Sequence, residues 1–207
     1  DIIDFSNPAA PSLISSVNMN PYGGITSVAV KNGIVAVASP NANEVLDGSV
    51  VFFDTNGTFL KQVTVGALPD MLTFTPDGTK VLTANEGQPN SNYSIDPEGS
   101  VSIIDISGGI ASLSQANVTT LLFTAFNAQE TALIASGVRK LKATSTLSQD
   151  FEPEYITISS DSQKAWVTLQ ENNAVAEINL SNTTISGVWP LGTKDISIPG
   201  NGFDISD

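Results

Sequence analysis

Apolar residues in this chain come in short runs of about four to eight that alternate with polar neighbours and stop at Gly, Asp, Asn or Pro, a rhythm of strands and turns. One phrase recurs four times, an apolar run closing on Asp or Asn. It reads Ile2-Ile3-Asp4, Val51-Phe52-Phe53-Asp54, Ile103-Ile104-Asp105 and Ala176-Glu177-Ile178-Asn179. Three copies are preceded by a strand, a turn and a strand, in which Asn32-Gly33, Asp77-Gly78 and Ser160-Asp161 occupy the turn. Asn-Gly and Asp-Gly between β-branched runs are hairpin signals because both residues tolerate the positive φ of a tight turn. A fourth strand is predicted after each phrase, over 59–65, 117–123 and 184–191.

Four short strands in a unit of about 45 residues are the pattern of a propeller blade, so the chain is expected to be an all-β β-propeller. The expected organisation is the end of one blade over 1–17, blades over 26–66, 69–123 and 153–192, and the start of a further segment over 193–207. The interval before the last phrase is the longest. It is expected to hold an insertion over 124–152, with one short helix near 127–138 stopped by Gly137 and a loop from Lys142 to Asp150. About three and a half blades cannot close a ring, and an open array exposes its edges. The chain therefore reads as a partial propeller; an irregular β-sandwich is the alternative. Its start at Asp1, with no leader, reads as processed, trimmed or partial.

Composition then narrows the chemistry. The 207 residues carry a net charge of −13, with no cysteine and no histidine. That excess repels nucleic acid and anionic surfaces and favours cations. Thiolate and imidazole chemistry are excluded from this segment, leaving carboxylates, amides, hydroxyls and lysine. No apolar stretch is long enough for a membrane-spanning helix.

In a propeller, the loops entering first strands share a face with those leaving second strands. The repeat register puts Asp70, Glu152 and Glu154 on the former, and Asn85, Glu86, Glu171 and Asn172 on the latter. The loop after Glu86 adds Asp96 and Glu98, and the tail adds Asp195, Asn201 and Asp204. Hard oxygen donors without a cationic side chain among them suit a divalent cation, with calcium expected because it accepts irregular oxygen shells. The competing reading is solvated loops in an acidic protein, with Asp-Pro and Glu-Pro marking turns. Asp4, Asp54 and Asp105 are expected to cap the following turn, and Asp77 and Asp161 to sit in turns. Trp166 and Trp189 are expected to pack between blades. Asn56, Asn92, Asn117, Asn179 and Asn182 head glycosylation sequons, about as many as composition alone yields.

Four stretches resemble one known family: 83–105 (Thr-Ala-Asn-Glu-Gly-Gln-Pro through Ser-Ile-Ile-Asp), 126–139, 149–174 and the ending 190–202. They are similar to the choice-of-anchor I domain, a family that includes mesenchyme-specific cell surface glycoproteins and proteins labelled alkaline-phosphatase-like. The resemblance implies a secreted or surface-anchored propeller of the YVTN kind, longer than this chain. It implies little about activity. The expected function is a cation-binding, non-enzymatic surface module in adhesion or in matrix or surface-layer assembly, its partners cell-surface or matrix components. The alternative is a metal-dependent phosphatase, phosphodiesterase or lactonase-like hydrolase in which Glu86 or Glu171 serves as base.

Overall fold

A computed structural model describes residues 1–202 and is all-β, with three four-stranded sheets, one two-stranded sheet and little helix. Strands β1 (Ile2–Asp4) and β2 (Ser12–Ser15) form the small sheet. The first blade is β3 (Ser27–Lys31), β4 (Ile34–Ser39), β5 (Asp47–Asp54) and β6 (Phe59–Ala67). The second is β7 (Pro69–Phe74), β8 (Lys80–Asn85), β9 (Ser100–Asp105) and β10 (Val118–Leu122). The third is β11 (Pro153–Ile158), β12 (Lys164–Leu169), β13 (Ala174–Asn179) and β14 (Thr184–Pro190). Each blade is an antiparallel meander in sequence order, and the first strands β3, β7 and β11 neighbour one another. Inner strands side by side with sheets fanning outward make this a β-propeller arrangement of three blades.

Alternation within each strand builds the core between blades. Phe52, Val63 and Val65 of the first blade meet Leu72, Phe74 and Ile104 of the second. Leu82, Val101 and Ile103 of the second meet Ile156, Val167 and Ile178 of the third. Full burial of such side chains contributes about 1.5–3 kcal/mol each. The expected caps are present: the Asp4, Asp54 and Asp105 carboxylates accept from the backbone N–H two residues on.

The insertion departs from the expected single helix and loop. The insertion contains a 3-10 turn over Thr124–Gln129 and then α1 (Glu130–Ser136), ended by Gly137 at φ 113°. The loop read before Asp150 closes in a second short helix, α2 (Leu147–Asp150), started by a reciprocal cap between Thr146 and Gln149. Trp166 and Trp189 lie on the face of the third blade turned away from the second blade, with Trp189 half-exposed against Gly187. The residues on either side of Trp166 in β12, Ala165 and Val167, fill the core, and strict alternation turns the indole the other way.

Candidate functional site

The site forms where first strands begin and second strands end. In β7, Pro69 pairs with Asn85 and Met71 with Ala84, so Asp70 is an extra residue bulged out of the ladder. In β11, Pro153 pairs with Leu169 and Ile156 with Val167, which bulges Glu154 and Tyr155 at the equivalent place. A proline there has no N–H to lose from the ladder, and a bulge re-aims the acidic side chain that follows. Glu86 follows β8; its N–H donates to the Leu68 carbonyl at 2.8 Å, and Gly87 N–H donates to Ala67 at 3.1 Å. Leu68 is held at φ 48°, a left-handed conformation unusual for a branched side chain.

Two glycines let three loops stack backbone on backbone. A Cβ on Gly87, at φ 69°, would lie 2.8 Å from the Glu98 carbonyl, and one on Gly99 would lie 1.9 Å from the Phe151 oxygen. The loops carrying Glu86, Glu98 and Glu152 are thereby brought together.

Electrostatics mark this cluster. Burial, and then the neighbouring Glu152, push the Glu86 carboxyl up to about 7; a hydrogen bond from Gln88 opposes this, and Asp70 and Glu154 add to it. Burial and then Glu171 push Glu152 up to about 7, with further contributions from Asp150, Asp96 and Glu154. Glu154 is raised by burial, then by Glu171 and Asp70. The Oε2 atom of Glu171 is buried and has no hydrogen-bond partner. A buried carboxylate oxygen with no donor is costly unless a proton or a cation meets it.

Other candidates are already committed. Asn85 is fully buried: its carbonyl accepts from Thr83, and its amide donates to Ser100 and Ser102. Asn172 is fully buried too, donating to the Arg139 carbonyl and to the Asp150 carbonyl and carboxylate while accepting from the Glu152 N–H. Both are structural pins, because their polar atoms are spent within the protein. Asp96 pairs with Lys142 at 3.1 Å, correcting the expectation of a cluster without cations, and Glu98 accepts from Ser148 at 2.9 Å. Asp195 is exposed and caps its own turn through Ser197, while Asn201 bonds back to the Asp195 carbonyl. Asp204 lies outside the described residues. Among the described residues no group of three or more carboxylates stands ready to hold a metal ion. The donor chemistry of Glu86, Glu152, Glu154 and Glu171 is that of hard oxygen ligands.

Asp150 was not legible as a site member. It is buried and accepts from Leu141 N–H, Lys142 N–H and the Asn172 amide, tying the insertion to the mouth. The Thr146-x-x-Gln149 spacing, a capping pattern, is the sequence signal that could have marked the short helix ending at Asp150.

A family model described as the choice-of-anchor I domain matches residues 1–207. No curated protein matches the sequence. Among solved structures, a functionally unknown protein from Desulfotomaculum acetoxidans is 14% identical, with a TM-score of 0.50 over 81% of this chain and 43% of that one. A eukaryotic initiation factor is also 14% identical, with a TM-score of 0.48 over 84% of this chain and 33% of its own. The β-propeller domain of the Trilobed protease from Pyrococcus furiosus is 10% identical, with a TM-score of 0.45 over 81% and 42%. The chain thus spans less than half the length of these structures, and at such identities the likeness is one of fold alone.

Proposed function

The chain belongs to the choice-of-anchor I domain family, and from that premise we propose that it is a cell-surface or extracellular propeller module whose mouth binds a divalent cation, calcium foremost, in adhesion or surface assembly. The observation that carries the cation is the donorless, buried Glu171 oxygen among Glu152, Glu154 and Glu86. Glu86, Glu152 and Glu154, each pushed up by burial and by neighbouring carboxylates, have two ways to stay beside Glu171, holding protons or sharing a cation. Calcium suits the second because it takes carboxylates in one- or two-oxygen contact and tolerates irregular shells. No helix among the described residues is long and apolar enough to cross a membrane, so attachment through this segment would be by binding.

Isothermal titration with calcium at pH 8 tests this. The expected result is saturable binding that Glu171→Gln weakens at least tenfold and that fades below pH 6 as protons take the ion's place. Absence of heat and of any rise in thermal midpoint would overturn it. A hydrolase reading finds some support in Glu86, whose carboxyl, pushed up to about 7, is matched to a general base at neutral pH. Phosphatase, phosphodiesterase and lactonase assays with and without chelator separate the two, and turnover lost in Glu86→Gln would favour the enzyme.

A further inference from the structure

Beside the carboxylate cluster opens a cavity of about 400 Å³, to which Pro89, Tyr93 and Leu141 supply apolar lining and Asp96, Asp150 and Glu152 supply carboxylates. The three acids differ in what they have left to offer. Asp150 accepts from the Leu141 and Lys142 backbone, from Ser145 and from Asn172, so its oxygens are satisfied. Asp96 is paired with Lys142. Glu152 alone receives no side-chain hydrogen bond and no ion pair among the described residues, although it is partly buried and faces Glu171, Glu154, Asp150 and Asp96.

The protein itself displays the chemistry this cavity selects. Lys142 Nζ stands 4.6 Å from the centroid of the Tyr93 ring and 3.1 Å from Asp96, an alkylammonium held between an aromatic face and a carboxylate. Tyr93 and Leu141 are both more than half exposed, which leaves apolar surface beside the unpaired Glu152. An anion would meet three carboxylates against the one ammonium in the lining, Lys142, which Asp96 already holds, and a neutral ligand would leave Glu152 uncompensated.

We propose that the cavity binds an alkylammonium group from outside the chain, a lysyl side chain of a partner or a free amine, with its charge on Glu152 and its methylenes along Leu141, Pro89 and Tyr93. The inference rests on the reading of the mouth as cation-binding and gives that mouth an organic ligand class. Apolar stem and charged head are then satisfied at once, as snorkelling lysines are on protein surfaces.

The test is a titration of the chain at pH 8, followed by amide chemical shifts, with n-butylammonium, Nα-acetyl-lysine methylamide and, as uncharged control, n-pentanol. Saturable shifts at Leu141 and Glu152 with both ammonium probes but not with pentanol are expected, and Glu152→Gln should weaken binding about tenfold. Leu141→Ser, a change at an exposed side chain, should weaken it about threefold and keeps the test valid if Glu152→Gln does not fold. Tighter binding of the lysine derivative than of butylammonium supports a peptide source, and equal binding a free amine. Pentanol binding as tightly as butylammonium, or unaltered affinity in Glu152→Gln and Leu141→Ser, overturns the proposal. Calcium binding without ammonium binding removes this inference alone; ammonium binding without calcium binding removes the inorganic cation alone.

Discussion

Glu86 and Glu152 make proton uptake part of folding. Their carboxyls sit near 7 in the folded protein against about 4.5 for an ordinary glutamate, so between those values the folded state holds protons that the unfolded chain has released. A raised folded value means that stability falls as pH climbs from about 5 through 7. The aspartates held low by turn hydrogen bonds, Asp54, Asp77 and Asp105 among them, act only at more acid pH and leave that window clear. Without divalent cation, the thermal midpoint is expected to be several degrees lower at pH 8 than at pH 5, with about 2–4 °C per kcal/mol in a chain of this size. Glu86→Gln and Glu152→Gln should each shrink that difference when followed by circular dichroism; an unchanged slope in both would refute the assignment. Asn172 answers to a different measurement. Its truncation to Ala strips the Arg139 and Asp150 carbonyls and the Glu152 N–H of their side-chain partner in a buried site, while the Asp150 carboxylate keeps Leu141 and Lys142, so chemical denaturation should show a loss of about 2–4 kcal/mol.

At the scale of elements, identical register positions differ in what covers them. Val28 of β3, Leu72 of β7 and Ile156 of β11 pair with Val37, Thr83 and Val167, three residues before the pairs that flank the turn, Lys31–Ile34, Thr75–Lys80 and Ser159–Lys164. Leu72 and Ile156 are 2% exposed, each covered by the preceding blade, whereas Val28 is 55% exposed. Leu72→Ala should therefore cost about 2–5 kcal/mol and Val28→Ala less than about 0.5, as read from urea midpoints. The lower part of the same face of the first blade is closed instead by Val17, Met19 and Tyr22, whose ring meets Phe53 edge-on at 6.1 Å. The loops at the mouth depend on one contact in particular. Gly99→Ala places a methyl against the Phe151 backbone, which cannot give way as a flexible side chain would, so it is expected to destabilise by more than about 2 kcal/mol and to weaken calcium binding, both measurable on one preparation.

Over the whole molecule, the charge of −13 makes self-repulsion a cost that salt screens, and Glu86, Glu152, Glu154 and Glu171 share in it. Raising ionic strength at pH 8 should raise the thermal midpoint of the wild-type chain more than that of Glu86→Gln. Strand order, hairpin turns and Asp caps were legible along the chain because they depend on neighbours close in sequence, such as Asn32-Gly33 or the Asp54 carboxylate two residues from Asn56 N–H. The acidic face is an expectation of the repeat register, which assigns loops to one side whatever their residues. What the line of residues could not separate was a ligand from a pin. Asn85 and Asn172 look like Glu86 and Glu171 in a loop sequence, yet their amides are spent on Ser100, Ser102, Arg139 and Asp150, partners up to 33 residues away. Lys142 likewise reaches Asp96 across 46 residues, and the cavity beside Glu152 exists only where two loops meet. Sequence alone determined the repeat and its turns, which short-range hydrogen bonding dictates. Tertiary structure alone decided which carboxylates stay unpaired, because that depends on which distant donors folding brings within 3 Å.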